Sequence, residues 1–317
     1  MSWITARRKF LELTTGRRPS TSRGAVPVDP VFGESTDSGP RQSEPSLSPQ
    51  PGIKYPARSV CVASGKGGTG KSVVTACLAH LFSKHGRALV VDADFGVGNA
   101  HILQDVTPKQ SFVDVVEGGV PLRDVIVRCS PQIDLVAGGS GVPRMAELST
   151  RQLRMIAAGI EDLESDYGYV VVDSAAGLSR QSLAFARSCD EVLLVTTPDL
   201  TAMTDAYAFL KVLTGRSPGC EPMLVVNRAR SDAEAREVAA RIVRVSKRFL
   251  GRAPRPIGWI PDDPMVQACV NRRGAVAALE PDCPASLSLA QLAHRIEVEL
   301  ARKLANGLGR SLTSELS

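Results

Sequence analysis

Short apolar runs alternate with segments of helical spacing along most of the chain, beginning near Ala57. The apolar runs are "SVCVAS", "ALVVD", "IDLVA", "YVVVD", "EVLLVT", "MLVVN" and "IGWI". Each is short, rich in β-branched residues and nearly continuous, as expected of strands that are buried on both faces. Between them, apolar residues recur at helical spacing over 72–84, 150–164, 201–213 and 233–250. The alternation predicts an α/β fold of three layers, a mostly parallel sheet with helices on both faces.

The residues that precede this pattern have a different composition. Residues 14–56 are rich in Pro, Ser and Gly and carry few large apolar side chains, which predicts a disordered linker. Residues 1–24 hold six basic residues against one acid, so the net charge of +5 lies in this tail and the rest of the chain is close to neutral. We therefore predict a basic tail and linker over 1–56, a folded domain ending in a helix over 57–305, and a flexible tail over 306–317.

Composition also restricts the class of protein. The sequence has no run of 18 apolar residues, so none of it is expected to span a membrane. Its seven cysteines form no C-x-x-C pair, which is typical of reduced thiols in a cytoplasmic protein. Because the body is nearly neutral, its charge does not favour general nucleic-acid binding, and we expect no specific DNA binding.

The segment "GKGGTGKS", residues 65–72, fits the phosphate-binding pattern G-x-x-x-x-G-K-[ST] and lies between a predicted strand and a predicted helix. Its glycines allow backbone N–H groups to close around phosphate oxygens at the start of a helix. Lys71 is expected to reach the β- and γ-phosphates of ATP, and the Ser72 hydroxyl to bind Mg²⁺. The predicted ATP-binding residues of this loop are Gly65, Lys66, Gly67, Gly68, Thr69, Gly70, Lys71 and Ser72.

Three acidic residues follow predicted strands that should neighbour this loop. Asp92 ends "ALVVD", Asp94 follows directly, and Asp173 ends "YVVVD" in the Walker B position. A strand-end acid can hold Mg²⁺ or orient an attacking water. The alternative for any single one is a helix cap, a common position for Asp.

Three residues are predicted to flank the base of the nucleotide. Asn227 ends "MLVVN", and its amide offers both a donor and an acceptor for the adenine edge. Pro261 and Asp262 lie where "GWIPDD" turns at the same edge of the sheet. Helix capping is the alternative for each.

Lys66 is a second lysine at the front of the loop, and phosphate binding within one chain does not require it. A flexible ammonium there can reach the phosphate of a second subunit, in the manner of an arginine finger. It can equally be a solvated surface lysine. The loop alone leaves both interpretations open.

Longer segments resemble a known family. "KGGTGKS" is the deviant Walker A sequence of the ParA/MinD group of P-loop ATPases. Four further segments resemble its flagellar-number regulator branch, known as FlhG, FleN or YlxH: "DADFGVGNAHILQ", "LVAGGSGVPRMAELS", "DEVLLVTTPDLTAMTDAYAFLKVL" and "GWIPDDPMVQACV". The stretch "VTTPDLTAMTDAYA" is the most specific of these, and the resemblance is collinear over about residues 57–300. The chain departs from the branch at Ala175, where Gly is usual, and lacks its N-terminal Asp-Gln-Ala-type motif.

The resemblance implies a P-loop NTPase that cycles between a monomer and an ATP-bound homodimer, with slow hydrolysis as a timer. It implies that Lys66 crosses the dimer interface, that Asp94 positions the attacking water, and that Asp92 and Asp173 hold Mg²⁺ through its waters. The implied partners are a flagellar signal-recognition-type GTPase or a flagellar switch protein. A cytoplasmic location with peripheral association at the inner-membrane surface is also implied.

The C-terminal segment has two interpretations. Leu292, Ile296, Leu300, Leu304 and Leu308 recur every fourth residue near basic side chains, as in a helix that lies on a membrane. Alternatively, the first half of this helix packs on the domain.

Other functions on the same fold remain alternatives. A chromosome- or plasmid-partitioning ATPase and a cell-division-positioning ATPase share the predicted site. An iron–sulfur carrier would need paired cysteines between subunits, and a kinase would need an acceptor site; the sequence shows neither pattern.

Overall fold

The computed structural model describes residues 57–96, 98–139 and 141–305, and these form one eight-stranded sheet with helices on both faces. The strands are β1 (Arg58–Ala63), β2 (Ala88–Ala93), β3 (Val127–Ser130), β4 (Ile133–Val136), β5 (Tyr169–Ser174), β6 (Glu191–Thr196), β7 (Met223–Ala229) and β8 (Arg255–Pro261). Their spatial order is β3-β4-β2-β5-β1-β6-β7-β8. Every pairing is parallel except that of β3 with β4. The parallel strands therefore share one carboxyl edge, where a ligand site is expected.

Helices cover both faces of this sheet. They are α1 (Lys71–Phe82), α2 (Ala100–Leu103), α3 (Phe112–Val116), α4 (Thr150–Glu164), α5 (Arg180–Ser188), α6 (Leu200–Arg216), α7 (Asp232–Leu250), α8 (Pro264–Asn271), α9 (Val276–Leu279) and α10 (Pro284–Ala305). One hydrophobic core joins α3–α7 to the sheet, and a second core on the opposite face joins α1, α2 and α8–α10. The predicted three-layer α/β architecture is confirmed.

The apolar runs and helical periods correspond closely to these elements. All seven runs are strands, and the four helical segments are α1, α4, α6 and α7, with ends within three residues of those predicted. The sequence pattern missed β3, because this strand is short, partly exposed and lies at the sheet edge. Local signals set helix starts: Ser149 and Gln152 form a capping box before α4, and the Ser231 hydroxyl accepts from Glu234 N at the start of α7.

The described part of the C-terminal helix packs on the domain, which was the second of the two interpretations. Leu292, Ile296 and Leu300 are at most 1% exposed, inside the core shared with α1 and β8. The Lys303 ammonium lies 2.9 Å from the carboxylate of Glu191, the first residue of β6. A membrane-lying surface built on these three apolar residues is therefore wrong. Leu308 and the side chain of Leu304 lie outside the described residues.

Two further predictions, the tail and linker over 1–56 and the tail over 306–317, also lie outside the described residues. Among the helices that the structure describes, none is long and apolar enough to cross a membrane.

Candidate functional site: a phosphate loop, two buried acids and a base pocket

The loop between β1 and α1 lies at the carboxyl edge of the sheet. Gly68 and Gly70 have φ values of 77° and 91°, in the left-handed region that glycine adopts without strain. Gly70 caps α1 and lies so close to Asn227 that an added Cβ would be 2.3 Å from its Nδ2 atom. Lys71 begins α1 and is 8% exposed. The loop therefore presents backbone N–H groups, a helix start and a buried lysine at one place, which suits a phosphate group.

Helix α6 packs directly against the front of this loop. A Cβ added to Gly65 would lie 2.1 Å from the carbonyl carbon and oxygen of Asp205, inside α6. Lys66 Nζ donates a hydrogen bond of 2.9 Å to Thr201 Oγ1 in the first turn of the same helix. Thr201 and Asp205 belong to the stretch "VTTPDLTAMTDAYA", so this stretch lies against the phosphate loop. Motif spacing did not predict either contact, because both depend on β1 and β6 being neighbours in the sheet.

Asp92 and Asp173 face each other on adjacent strands at the same edge. They are register partners on β2 and β5 and are at most 2% exposed. Burial raises the pKa of Asp92, and the neighbouring Asp173 carboxylate raises it further. Burial also raises the pKa of Asp173, while hydrogen bonding by Ser72 and the charge of Lys71 oppose that rise.

This pair fits a hard divalent cation. Asp173 Oδ1 is buried and has no hydrogen-bond partner among the described residues. A cation beside it would supply the missing partner and offset the repulsion between the two carboxylates. Ser72, Asp92 and Asp173 are thus brought together as the sequence predicted, and oxygen ligands of this kind suit Mg²⁺.

The chain beyond β2 wraps closely around Asp92. Its carboxylate accepts hydrogen bonds from Asp94 N at 3.1 Å and from Ala100 N at 3.2 Å. Gly98 approaches so closely that an added Cβ would lie 2.5 Å from the Asp92 carboxylate. Asp94 is half-buried beside this pair. Asp94 is therefore tied to Asp92 through its backbone, at the edge where the predicted water would be held.

A cavity of about 410 Å³ opens beside the loop, and Gly70, Val74, Asn227, Pro261 and Asp262 contribute to its lining. The three residues predicted to flank the base thus all line this cavity. Asp262 is exposed, and its carboxylate is 3.4 Å from the guanidinium of Arg228.

Asn227 has a structural role that the sequence did not reveal. Its amide Nδ2 donates to the carbonyl of Thr69 at 2.8 Å, and its Oδ1 accepts from Arg228 N at 3.0 Å. The side chain therefore ties β7 to the phosphate loop. One amide hydrogen and one lone pair remain for a base.

The eight-stranded, mostly parallel sheet and the loop with two lysines define a P-loop nucleotide-binding protein of the ParA/MinD class. A family model described as "Cellulose biosynthesis protein BcsQ" matches residues 57–296, and the chain belongs to that family. The chain is 34% identical to the antiactivator FleN of Pseudomonas aeruginosa over 249 residues, which cover 78% of this chain and 89% of that protein. It is 30% identical to the flagellum site-determining protein YlxH of Helicobacter pylori, over 74% of this chain and 80% of that protein. Within the ParA/MinD group, it belongs to the flagellar-regulator branch that the sequence segments indicated.

Solved structures support the same fold. The septum site-determining protein MinD of Pyrococcus horikoshii, complexed with Mg-ADP, superimposes with a TM-score of 0.64 at 24% identity, over 80% of this chain and 99% of that one. At this identity the likeness is evidence for the fold alone. The sequence predicted both this family and a P-loop fold, and both predictions are confirmed.

Proposed function

We propose that this protein is an ATP-dependent dimerisation switch that regulates flagellar number or placement, and that its output is the binding of other proteins. The observation that carries the proposal is the packing of α6 on the phosphate loop. Gly65 contacts the α6 backbone, and Lys66 is bonded to Thr201 on the same helix. A change of nucleotide at the loop therefore acts on α6 without an intermediate element.

In the proposed reaction, water attacks the γ-phosphate of ATP and gives ADP and phosphate. Lys71 and the backbone N–H groups of the loop bind the β- and γ-phosphates, and Asp94 orients the water. Ser72, Asp92 and Asp173 would hold Mg²⁺, which would supply positive charge beside the phosphates. Catalysis then depends on positioning and charge stabilisation and needs no strong general base. The slow, regulatory rate that we propose rests on the family resemblance.

Lys66 is the residue proposed to act across the dimer interface. Its ammonium is at the loop front, and among the described residues it is held only by an exposed hydrogen bond to Thr201. An exposed bond of this kind contributes only about 1 kcal/mol, so the lysine can exchange it for a phosphate of the second subunit.

The test is ATP-dependent dimerisation of a Lys66→Ala variant, measured by light scattering. We expect the variant to bind ATP, to stay monomeric with ATP, and to lose accelerated hydrolysis. Lys84→Ala is a matched control, because Lys84 is an exposed lysine at the opposite edge of the sheet. A Lys66→Ala dimer as stable as that of the control would contradict the assignment.

The proposed partners are a flagellar signal-recognition-type GTPase or a flagellar switch protein, met in the cytoplasm or at the inner surface of the membrane. A pull-down with the Asp94→Ala protein and ATP would identify them, because this variant should retain the ATP dimer. Partners that also bind the Lys66→Ala monomer would not depend on the switch.

A chromosome- or plasmid-partitioning or cell-division-positioning ATPase is the alternative function. Identity to the flagellar proteins, 34% and 30%, exceeds the 26% identity to MinD of Escherichia coli. The flagellar role is therefore the better supported one. Altered septum placement with normal flagella in a deletion strain would favour the alternative.

A further inference from the structure

The last turns of α7 and the loop that follows form a strongly basic segment. Residues 241–255, "RIVRVSKRFLGRAPR", contain six basic residues and no acid. Two of the six are in ion pairs: Arg241 with Glu237, and Arg255 with Glu299 at 2.7 Å. The folded domain is close to neutral as a whole, but this segment carries a local excess of positive charge.

The other four basic residues form what we call the basic patch: Arg244, Lys247, Arg248 and Arg252. All four are exposed, and none is in an ion pair with another described residue. Arg244, Lys247 and Arg248 follow one another at spacings of three and four on α7, so they share one side of the helix. Arg252 joins them from the loop, where its guanidinium donates to the carbonyl of Pro218. These side chains present unpaired positive charge to solvent, which fits a polyanionic partner.

An apolar ring lies next to one of these cations. Phe249 is 37% exposed and is one of four large hydrophobic residues exposed in the described part of the chain. The guanidinium of Arg248 lies 5.5 Å from the centre of its ring. The phosphates of a nucleic-acid duplex would pair with the cations but would leave this ring in water. A phospholipid surface offers anionic headgroups and an apolar layer beneath them, so it accommodates both.

The basic patch lies at the amino edge of the sheet, opposite the nucleotide site. Helix α7 ends at Leu250, shortly before β8 begins at Arg255. The described chain starts at Ala57, next to the first residue of β1, and therefore enters the sheet at the same edge. Helix α10 also reaches this edge, where Lys303 forms an ion pair with Glu191. The patch, the start of the described chain and the last turns of α10 thus lie on one side of the domain.

We propose that this edge lies against anionic phospholipids, with the basic patch on the headgroups and Phe249, beside Arg248, in contact with the apolar layer. The inference adds a lipid-contact surface to the proposed function and does not rest on ATP binding or hydrolysis. The outer surface of the folded domain itself then contributes to membrane contact, at a place remote from the phosphate loop.

The experiment is co-sedimentation of the full chain with phosphatidylglycerol-containing vesicles and with phosphatidylcholine vesicles, without nucleotide. The patch variant combines Arg244→Gln, Lys247→Gln and Arg248→Gln. Each cation near an anionic surface contributes about 1 kcal/mol, or about fivefold in partitioning. We therefore expect the patch variant to bind anionic vesicles about 100-fold more weakly, and Phe249→Ser to bind about tenfold more weakly.

The matched control removes the same charge elsewhere, with Arg144→Gln, Arg151→Gln and Arg154→Gln at the carboxyl edge of the sheet. These arginines are exposed, and we expect this control to bind vesicles within twofold of the wild type. A second variant, Arg244→Lys with Arg248→Lys, keeps the charge and should keep the binding. Its melting curve, compared with that of the patch variant, separates loss of fold from loss of contact.

Three results would overturn the proposal. The first is equal vesicle binding by the patch variant and the control. The second is wild-type binding to phosphatidylcholine as strong as to anionic vesicles. The third is a salt-dependent shift of duplex DNA, lost in the patch variant, without vesicle binding; the polyanion would then be nucleic acid. Failure of any kind here leaves the Lys66→Ala dimerisation test unaffected.

Discussion

Replacing Gly65 with alanine should destabilise the protein through one contact between the phosphate loop and α6. The added methyl group would lie 2.1 Å from the Asp205 carbonyl and 2.5 Å from Ala206 N. The nearer distance is more than 1 Å short of ordinary van der Waals contact, which begins at 3.4 Å. The opposing atoms are helix backbone, and Ala206 and Tyr207 hold that helix in the core. No side-chain rotation can relieve the clash, so either the loop or α6 must move.

The expected cost follows from this geometry. Overpacking a tightly packed site costs about 1–3 kcal/mol, and a clash with rigid backbone belongs at the upper end. We therefore expect Gly65→Ala to lower the free energy of unfolding by about 3 kcal/mol. That is a large part of the total of about 5–15 kcal/mol for an ordinary domain. Because the displaced loop also binds phosphate, affinity for an ATP analogue should fall as well.

The assay is urea denaturation without nucleotide, followed by titration with a fluorescent ATP analogue. Gly67→Ala is the matched control in the same loop, since a Cβ on Gly67 would meet nothing within 4 Å. It should change the free energy of unfolding by no more than about 0.5 kcal/mol. Equal stabilities of the two variants would refute the reasoning, because the proximity of α6 is the difference between the two positions.

Three further predictions concern Lys66, Asp94 and the acid pair. Thr201→Val removes the acceptor of the Lys66 hydrogen bond, worth about 0.5–1.5 kcal/mol, so ATP-dependent dimerisation should tighten about two- to tenfold by light scattering; Thr201→Ser should match the wild type. Asp94→Ala should slow phosphate release about 100-fold or more while the ATP dimer accumulates; unchanged turnover would remove Asp94 from the mechanism. Burial, and to a lesser extent the Asp173 carboxylate, raises the pKa of Asp92 from 3.8 to about 8. Because the folded protein then holds this proton more tightly than the unfolded chain does, Asp92 contributes stability at low pH that is lost as the pH rises through that range. Without Mg²⁺, the free energy of unfolding of Asp92→Asn should therefore rise relative to the wild type between pH 4 and pH 8 in denaturant titrations; a flat difference would contradict the raised pKa.

The site residues differ in how far the sequence could assign them. Gly65 to Ser72 were assigned from a pattern of residue types, because a phosphate loop is continuous in sequence and its chemistry is local. Asp92 and Asp173 are 81 residues apart, yet each follows a buried strand, and parallel strands end at one edge. That rule was enough to expect them together.

Asn227 illustrates what the sequence could not provide. Its place at the end of β7 suggested a contact with the base, which stays a prediction. Its hydrogen bond to Thr69 joins residues 158 positions apart and depends on the approach of β7 to the loop. No spacing rule predicts such a bond.

The C-terminal helix and the basic patch show the same limit for surfaces. Periodicity identified an apolar stripe at Leu292, Ile296 and Leu300. A helix that packs on the domain and a helix that lies on a membrane both need such a stripe, so the sequence could not distinguish them. Only packing against α1 and β8 decided between them. Likewise, the net charge of residues 57–317 gave no sign that Arg244, Lys247 and Arg248 are unpaired on one side of α7.

The sequence by itself determined the alternation of strands and helices, the phosphate loop and the acids at strand ends. These follow from local periodicity, local chemistry and the shared direction of parallel strands. Only the tertiary structure decided that α6 lies on Gly65, that Asn227 ties β7 to the loop, and which charges remain unpaired. Those features depend on distances between segments remote in sequence, which packing of the whole domain fixes.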